Sequence, residues 1–425
     1  MSRLGFVMSN LDEWVLHGDE MRRPFLVNPK ISESSKLVIV GAGLSGLCCA
    51  YRIAKKRPDL EIIVHEKSSQ SGGVIATWKE DEWVCDVAVN ATRPHPAFWR
   101  LIDDLNLNSF FKPSNPIAKS RWVLLDGKRH KLSWRTIFKM GPIKLLSSIK
   151  RSRSGGVSVS ELIPNKQIAD AMCLGIVNDT SENVDADFLF PSLTKFGQNP
   201  PIKKSKLNKL ISQSYPIFSP KKGSIASLKG GMEMLVDSLV EQISNLENVS
   251  IVYGDEAESL ASISKTYNVP LESILWAAPS PEFEQESSKI SIFAIGYSVQ
   301  QLSHIEKGYG TLIPDEDFPV SGILHESDIH HSQRCPKGHR LFRLMVPHNR
   351  WDKETDSVQK CAESLLAHNP VIFRKIGERK IPSYTPGHMT KLSQISLECS
   401  YVGWSYSGVS ITHVISQSER IAELF

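Results

Sequence analysis

The run Leu37-Val38-Ile39-Val40 is apolar at every position, the pattern of a short strand buried on both faces of a parallel sheet. It leads directly into Gly41-Ala42-Gly43-Leu44-Ser45-Gly46, after which Leu47, Ala50, Tyr51 and Ala54 recur at helical spacing between Ser45 and Lys56. Pro58 and Asp59 stop that helix, and Glu61 to His65 reads as a second strand. Strand, glycine turn, helix and strand in this order predict a βαβ unit and an α/β fold with a parallel sheet. Val249-Ser250-Ile251-Val252-Tyr253 reads as a further strand, and Ser212 to Gly223, with Pro216, Pro220, Lys221 and Lys222, as a boundary loop.

The glycines divide the work at a dinucleotide site. Gly41 permits the tight turn, Gly43 lets backbone approach a pyrophosphate, and Gly46 lets the helix pack close to the strand, so that its N-terminal amides and dipole receive the phosphates. Glu66 follows Gly46 by 20 residues, at the end of the second strand, where a carboxylate accepts hydrogen bonds from ribose hydroxyls. The alternative is a glycine turn in an ordinary βαβ unit without a ligand. A second pair, in Ser71-Gly72-Gly73-Val74, reads either as part of the same site or as a plain surface turn.

Composition narrows the class. A chain of 425 residues, at ~100–200 per domain, predicts two or three domains, and 41% hydrophobic residues suffice for a core. Fifty Lys and Arg against 46 Asp and Glu give +4, which argues against nucleic acid as the main partner. Seven cysteines, an odd number with only Cys48-Cys49 adjacent, suit free thiols in a reducing compartment. No window approaches about 18 consecutive apolar residues, so membrane contact would be peripheral or monotopic. Residues 1–35 read as a loosely ordered N-terminal extension too acidic for a transit peptide.

Several segments together resemble the protoporphyrinogen oxidase family of the flavin amine oxidase superfamily. In chain order they are the glycine unit with Ser71-Gly72-Gly73-Val74, Met172-Cys173-Leu174-Gly175-Ile176 with Phe190-Pro191-Ser192-Leu193, Ser227 to Leu235, Gly308-Tyr309-Gly310-Thr311-Leu312-Ile313-Pro314, and Val402 to Ile411. The resemblance implies a Rossmann-like FAD-binding domain split over 36–95, 220–285 and 380–425. It also implies a mainly helical membrane-binding or lid region at 96–219, and an α+β substrate domain at 286–379. One non-covalent FAD per chain would contact Gly41, Ala42, Gly43, Leu44, Ser45, Gly46, Glu66, Lys67, Gly73, Val74, Ala88, Val89, Asn90, Ala91, Ala257, Trp404, Val409, Ser410 and Ile411. Asn90, Arg121, Gly175, Tyr309, Leu312 and Met345 match the family's substrate cavity. The chain departs from the family twice: Gln70 replaces an arginine, and Ala88-Val89-Asn90 replaces a Gly-Pro-Arg step that carries an arginine near the substrate carboxylates. Arg121 remains, and Arg93 is a second candidate to compensate.

The implied activity is oxidation of protoporphyrinogen by FAD, with oxygen as acceptor and hydrogen peroxide as product, in haem synthesis. Such chemistry uses no protein nucleophile or acid-base residue, which agrees with the lack of an evident catalytic pair. In a eukaryote the location would be the mitochondrial inner membrane, and a later haem-pathway enzyme would be a partner. Two alternatives stay open: another flavin oxidase acting on amines or polyenes, and an inactive relative retained for binding.

Between Lys128 and Arg153 nine basic residues occur without an acid, interleaved with apolar ones such as Phe138, Ile143 and Leu146, which suits an anionic membrane surface. The alternatives are a solvated amphipathic helix and a nucleic-acid patch. His325, Glu326, Asp328, His330, His331, Cys335 and His339 fit no zinc spacing, so no metal is expected and the stretch reads as a polar surface loop. Cys48 and Cys49 read as packing residues of the first helix.

Overall fold

The computed structural model of the chain describes residues 22–93, 95–132, 142–197, 225–279 and 285–425. Its first sheet grows on β1 (Lys36–Val40), with β2 (Glu61–Glu66) and β9 (Val249–Tyr253) on one side and β10 (Ile274–Trp276) and β16 (Ser400–Tyr401) on the other. All four pairings are parallel. Alternate side chains of β1 enter two different cores. Leu37 and Ile39 pack with the helices Leu44–Lys56, Glu233–Ser244 and Ile411–Ala422, whereas Val38 and Val40 join Ile274, Trp276, Leu260 and Ile263 on the opposite face. A strand sandwiched in this way needs an apolar residue at every position, each worth about 1.5–3 kcal/mol when fully buried.

The helix Leu44–Lys56 buries ten residues, Cys48 and Cys49 among them, and ends on Lys55 and Lys56, whose charges suit the negative end of its dipole. Both cysteines are free, and burial pushes the Cys49 thiol up to about 12, so they pack rather than react.

A hairpin of β3 (Thr77–Glu80) and β4 (Trp83–Asp86), and a pair formed by β5 (Phe111–Pro113) and β8 (Ala226–Leu228), make two small antiparallel sheets. The second sheet has seven strands. β11 (Ser287–Ser298) lies between β15 (Ile372–Pro382) and β14 (His339–Pro347), followed by β13 (Gly322–Leu324), β12 (Gly310–Leu312), β6 (Arg121–Leu125) and β7 (Lys128–Lys131). One face carries Phe293, Ile295, Phe342 and Leu344 against Val358 and Ala362 of the helix Thr355–Leu365. Ile290, Ile292 and Met345 on the other face pack into the core that also holds Val38 and Val40. The seven-stranded sheet therefore packs against the parallel sheet through a shared apolar layer.

From Arg22 onward the N-terminal segment is not the loose extension expected. Arg23, Leu26, Val27 and Ile31 are buried, the Leu26 carbonyl accepts from the Tyr401 amide at 2.8 Å, and Asn28 Nδ2 donates to the Leu397 carbonyl at 2.7 Å. The apolar triplet Phe25-Leu26-Val27 is too short to show a period, and only its docking beside β16 reveals its role. The boundary loop expected at Ser212 to Gly223, and residues 133–141 of the basic stretch, lie outside the described residues.

Candidate functional site

The glycine loop has the geometry its spacing implies. Gly41 takes φ +104° and donates its amide to the His65 carbonyl at 2.7 Å, tying the turn to β2. At Gly46 an added Cβ would fall on the Gly41 carbonyl oxygen, so the helix and the turn touch where only hydrogen fits. Gly43 is different: a Cβ there would meet nothing within 4 Å. It is also the N-cap of the helix Leu44–Lys56 and offers the first-turn amides no side-chain partner. Open space in front of uncapped helix amides is an anion cradle.

Glu66 is buried and oriented by two backbone donors, Ala42 N to Oε2 at 2.7 Å and Ser68 N to Oε1 at 2.9 Å. Each oxygen keeps lone-pair capacity for a hydroxyl. Gly72-Gly73 is no free surface turn. Gly72 donates to the Ala42 carbonyl at 2.8 Å and bridges to Gly43, bracing the loop from outside. Past β9, Asp255 N bonds the Glu66 carbonyl, bringing the chain by Glu66 to Ala257, while Lys67 pairs with Glu256 at the surface at 3.0 Å. Space, donors and acceptor at this point fit the pyrophosphate and ribose of an adenine dinucleotide.

The C-terminal segment returns to the same loop. Gly403 takes φ +125° beside Ser45, whose carbonyl accepts from Ser418 Oγ, and Ser410 caps the helix Ile411–Ala422 by accepting from Thr412 N at 3.3 Å. Trp404 and Val409 are half-buried, their segment fastened by Tyr384 Oη to the Trp404 carbonyl at 3.1 Å and Tyr406 Oη to the Ala278 carbonyl at 3.3 Å. Val74, Val89 and Ala91 are half-buried as well, and Ala88 is buried. Asn90 is buried with its Nδ2 lacking a partner among the described residues. A buried amide left unpaired marks a place where a polar group is awaited.

Most of the residues expected at the substrate come together on β12 and its neighbours. The Arg121 guanidinium stacks over the Tyr309 ring at 4.4 Å. A Cβ at Gly175 would come within 3.2 Å of Leu312, and one at Gly322 would press on Met345 and reach Leu312, so glycines make room for these apolar side chains. Arg93, the other candidate, is exposed.

The stretch His325 to His339 is corrected by the structure: it is a buried ion network rather than a surface loop. His325, Glu326, Asp328, His330 and Cys335 are all buried. Glu326 pairs with Arg343 Nε at 3.0 Å and His330 Nε2 at 3.0 Å, and Asp328 with Arg340 at 2.6 Å and His325 Nδ1 at 3.2 Å. Arg334 pairs with Asp86 at 3.2 Å, and Asp86 also accepts from Thr77 Oγ1 and Met232 N, both at 2.7 Å. Arg343 reaches on to the carbonyls of Asp86 and Ala88. The network thus locks the seven-stranded sheet to the strand end that precedes Ala88-Val89-Asn90.

Burial alone would raise the Glu326 carboxyl, but Arg343, His330 and Arg334 outweigh it and hold it at about 2, below its ordinary 4.5. Asp328 and Glu419 are lowered as well, burial again being overcome by their partners. A depressed carboxylate stabilises the fold in full above its ordinary value and loses that contribution as pH falls through the native one. Denaturant midpoints should therefore fall steeply between about pH 4.5 and 2, and Glu326→Gln should be less stable at neutral pH with a shallower decline. Parallel decline in both proteins would refute the assignment.

Sequence reasoning missed Asp86, Arg334 and Arg343. The available signal was a charge inside an otherwise apolar run, Leu341-Phe342-Arg343-Leu344-Met345-Val346, which demands a buried partner.

Comparison with known proteins agrees with this geometry. A profile described as an NAD(P)-binding Rossmann-like domain matches residues 39–105. Human protoporphyrinogen oxidase is 22% identical, aligning 91% of this chain with 97% of its own length, and coproporphyrinogen III oxidase from Staphylococcus aureus is 18% identical over 92% and 98%. Among solved structures, a protein from Exiguobacterium described provisionally as a protoporphyrinogen oxidase superposes with TM-score 0.65 at 16% identity, covering 91% of this chain and 98% of that one. Putrescine oxidase bound to putrescine superposes with TM-score 0.59 at 13% identity, covering 91% and 98%. Over nine-tenths of its length the chain is thus similar, at low identity, to protoporphyrinogen and coproporphyrinogen oxidases, and it shares the fold of flavin amine oxidase-type proteins.

Proposed function

We propose that the protein oxidises a porphyrinogen, protoporphyrinogen IX first among candidates, using one non-covalently bound FAD, with oxygen as acceptor and hydrogen peroxide as product. The observation that carries this reading is the open, uncapped cradle at Gly43 with Glu66 held beside it by the Ala42 amide, in a chain that also groups Leu312 with Met345 and stacks Arg121 on Tyr309. Similarity to two porphyrinogen oxidases over nine-tenths of the chain supports the substrate class.

Gly41–Gly46 and the helix amides would hold the phosphates, Glu66 the ribose, and the positive end of the helix Ile411–Ala422 would face the ring system. When bound, the flavin supplies hydride acceptance, and oxygen restores it. The protein's own residues have the remaining work. Leu312, Met345 and Tyr309 would line an apolar slot that orients a flat macrocycle, and Arg121 with its guanidinium ordered on Tyr309 would meet a carboxylate at its edge. No side chain has to move a proton. The test is aerobic incubation of the purified chain with protoporphyrinogen, following porphyrin fluorescence and peroxide against an autoxidation blank. Porphyrin and peroxide in excess of the blank support the reading. A chain that holds flavin but turns over only amines would favour the second reading, which the neutral Asn90 at the family's arginine position recommends.

The basic stretch supports a membrane-surface role. In the helix Pro142–Ser152, Ile143 is 83% and Leu146 67% exposed, with Lys150 and Arg151 in the last turn. No helix among the described residues is long and apolar enough to cross a membrane. In a eukaryote the reading corresponds to the mitochondrial inner membrane. Replacing Ile143 and Leu146 together by aspartate should weaken sedimentation with anionic vesicles by about tenfold or more, and salt should weaken binding of the parent protein. Unchanged sedimentation would remove the helix from the account.

A further inference from the structure

Arg379 lies in β15, directly across the ladder from Ile290. Its Nε is buried without a hydrogen-bond partner among the described residues. Two positions earlier on the same face, Gly377 has no side chain because Val87 occupies the space a Cβ would need. Val87 opens the segment Ala88-Val89-Asn90, whose Ala88 carbonyl is held by Arg343 at 3.2 Å. Arg379 therefore stands on the side of the sheet that carries this segment, where Asn90 keeps a second unpaired buried donor.

Among the described residues its charge has no counterpart. The one charge acting on Arg379 is that of Arg343, which is of like sign and already paired with Glu326. Burial first and Arg343 second pull the guanidinium down to about 10, and the residue as a whole is half-buried, so it can still be reached. An arginine does not escape such a position by losing its proton, and an unmatched buried cation is costly. An anion reaching the guanidinium would remove the cost and gain a charge-assisted, two-pronged contact.

We propose that Arg379 is a specificity residue that binds a carboxylate of the substrate from the β15 side of the site, a charge that Asn90 cannot supply. The proposal rests on the porphyrinogen reading and adds to it the group that selects an acidic macrocycle.

The test uses the full chain and the quenching of its tryptophan fluorescence by protoporphyrin IX and by protoporphyrin dimethyl ester. The parent protein should bind the free acid at least about tenfold more tightly than the ester, the ratio that about 1.4 kcal/mol provides. Arg379→Met should lose that preference by weakening the acid alone, and Arg379→Lys, which keeps the charge without the fork, should show an intermediate ratio. Equal binding of acid and ester by the parent, or an unchanged acid affinity in Arg379→Met, overturns the proposal and leaves the porphyrinogen reading intact. Binding of neither porphyrin by the parent overturns both.

Discussion

Gly46→Ala should destabilise the protein by about 3 kcal/mol or more and yield a chain that retains no flavin, whereas Gly43→Ala should fold normally and lose flavin alone. The contrast follows from what each new methyl meets. At Gly46 it lands on the Gly41 carbonyl, with Ile39 Cγ2 at 3.2 Å, and neither yields readily because the Gly41 amide is bound to β2 and Ile39 is fully buried. Relief requires prising the helix from the sheet, which separates Leu47 from its neighbours in the core. At Gly43 the backbone is extended, φ −74° and ψ 176°, and the methyl would project into open space. That space is where a phosphate approaches in our account, so the cost appears only in the cofactor. Denaturant titration with flavin absorbance per chain separates the two. A Gly43→Ala protein with full flavin content would contradict the cradle.

Asp86→Ala should cost about 3–5 kcal/mol, the usual penalty for stranding one member of a buried ion pair. Asp86 and Arg334 are both essentially inaccessible, and without the carboxylate the guanidinium keeps, among the described residues, hydrogen bonds to the Leu228 carbonyl and His330 and the more remote charge of Glu326. Met232 N and Thr77 Oγ1 would lose their acceptor as well. Asp86→Asn, which preserves an acceptor, should cost less, and a double-mutant cycle with Arg334→Met should return a coupling of at least about 1 kcal/mol. Additive losses would mean that the pair is geometrically close but energetically independent. Because Arg343 bonds the carbonyls of Asp86 and Ala88, we also expect Asp86→Ala to disturb the segment through Asn90 and raise the KM for substrate.

What could be read from the chain alone follows from where each interaction's partners lie. The run from Leu37 to Glu66 was legible because turn, helix and acid are set by local geometry: Gly41 needs its positive φ, Gly46 its missing side chain, and Glu66 its place at the end of β2. The grouping of Arg121 with Tyr309, and of Gly175 and Leu312 with Met345, came from resemblance to a family. Spacing gives no hint that positions 175, 312 and 345 meet.

The His325–His339 stretch misled because alternating titratable residues without a period look like solvated loop. Its burial depends on Arg340 and Arg343 from β14 and on a network reaching Asp86, some 240 residues earlier than Glu326. Arg379 was hidden for the opposite reason. Arg374, Lys375, Glu378 and Lys380 surround it in a strand that reads as a solvent face, and only the pairing with β11 shows which side turns inward.

In the proposed function this chain couples a bound flavin to a porphyrinogen. Its most direct test is anaerobic mixing of the purified, flavin-loaded protein with protoporphyrinogen while the flavin band near about 450 nm is watched. The account predicts bleaching of that band by the porphyrinogen and its recovery when air is admitted, with porphyrin accumulating over repeated cycles. A band that stays unchanged in the presence of excess porphyrinogen would contradict it.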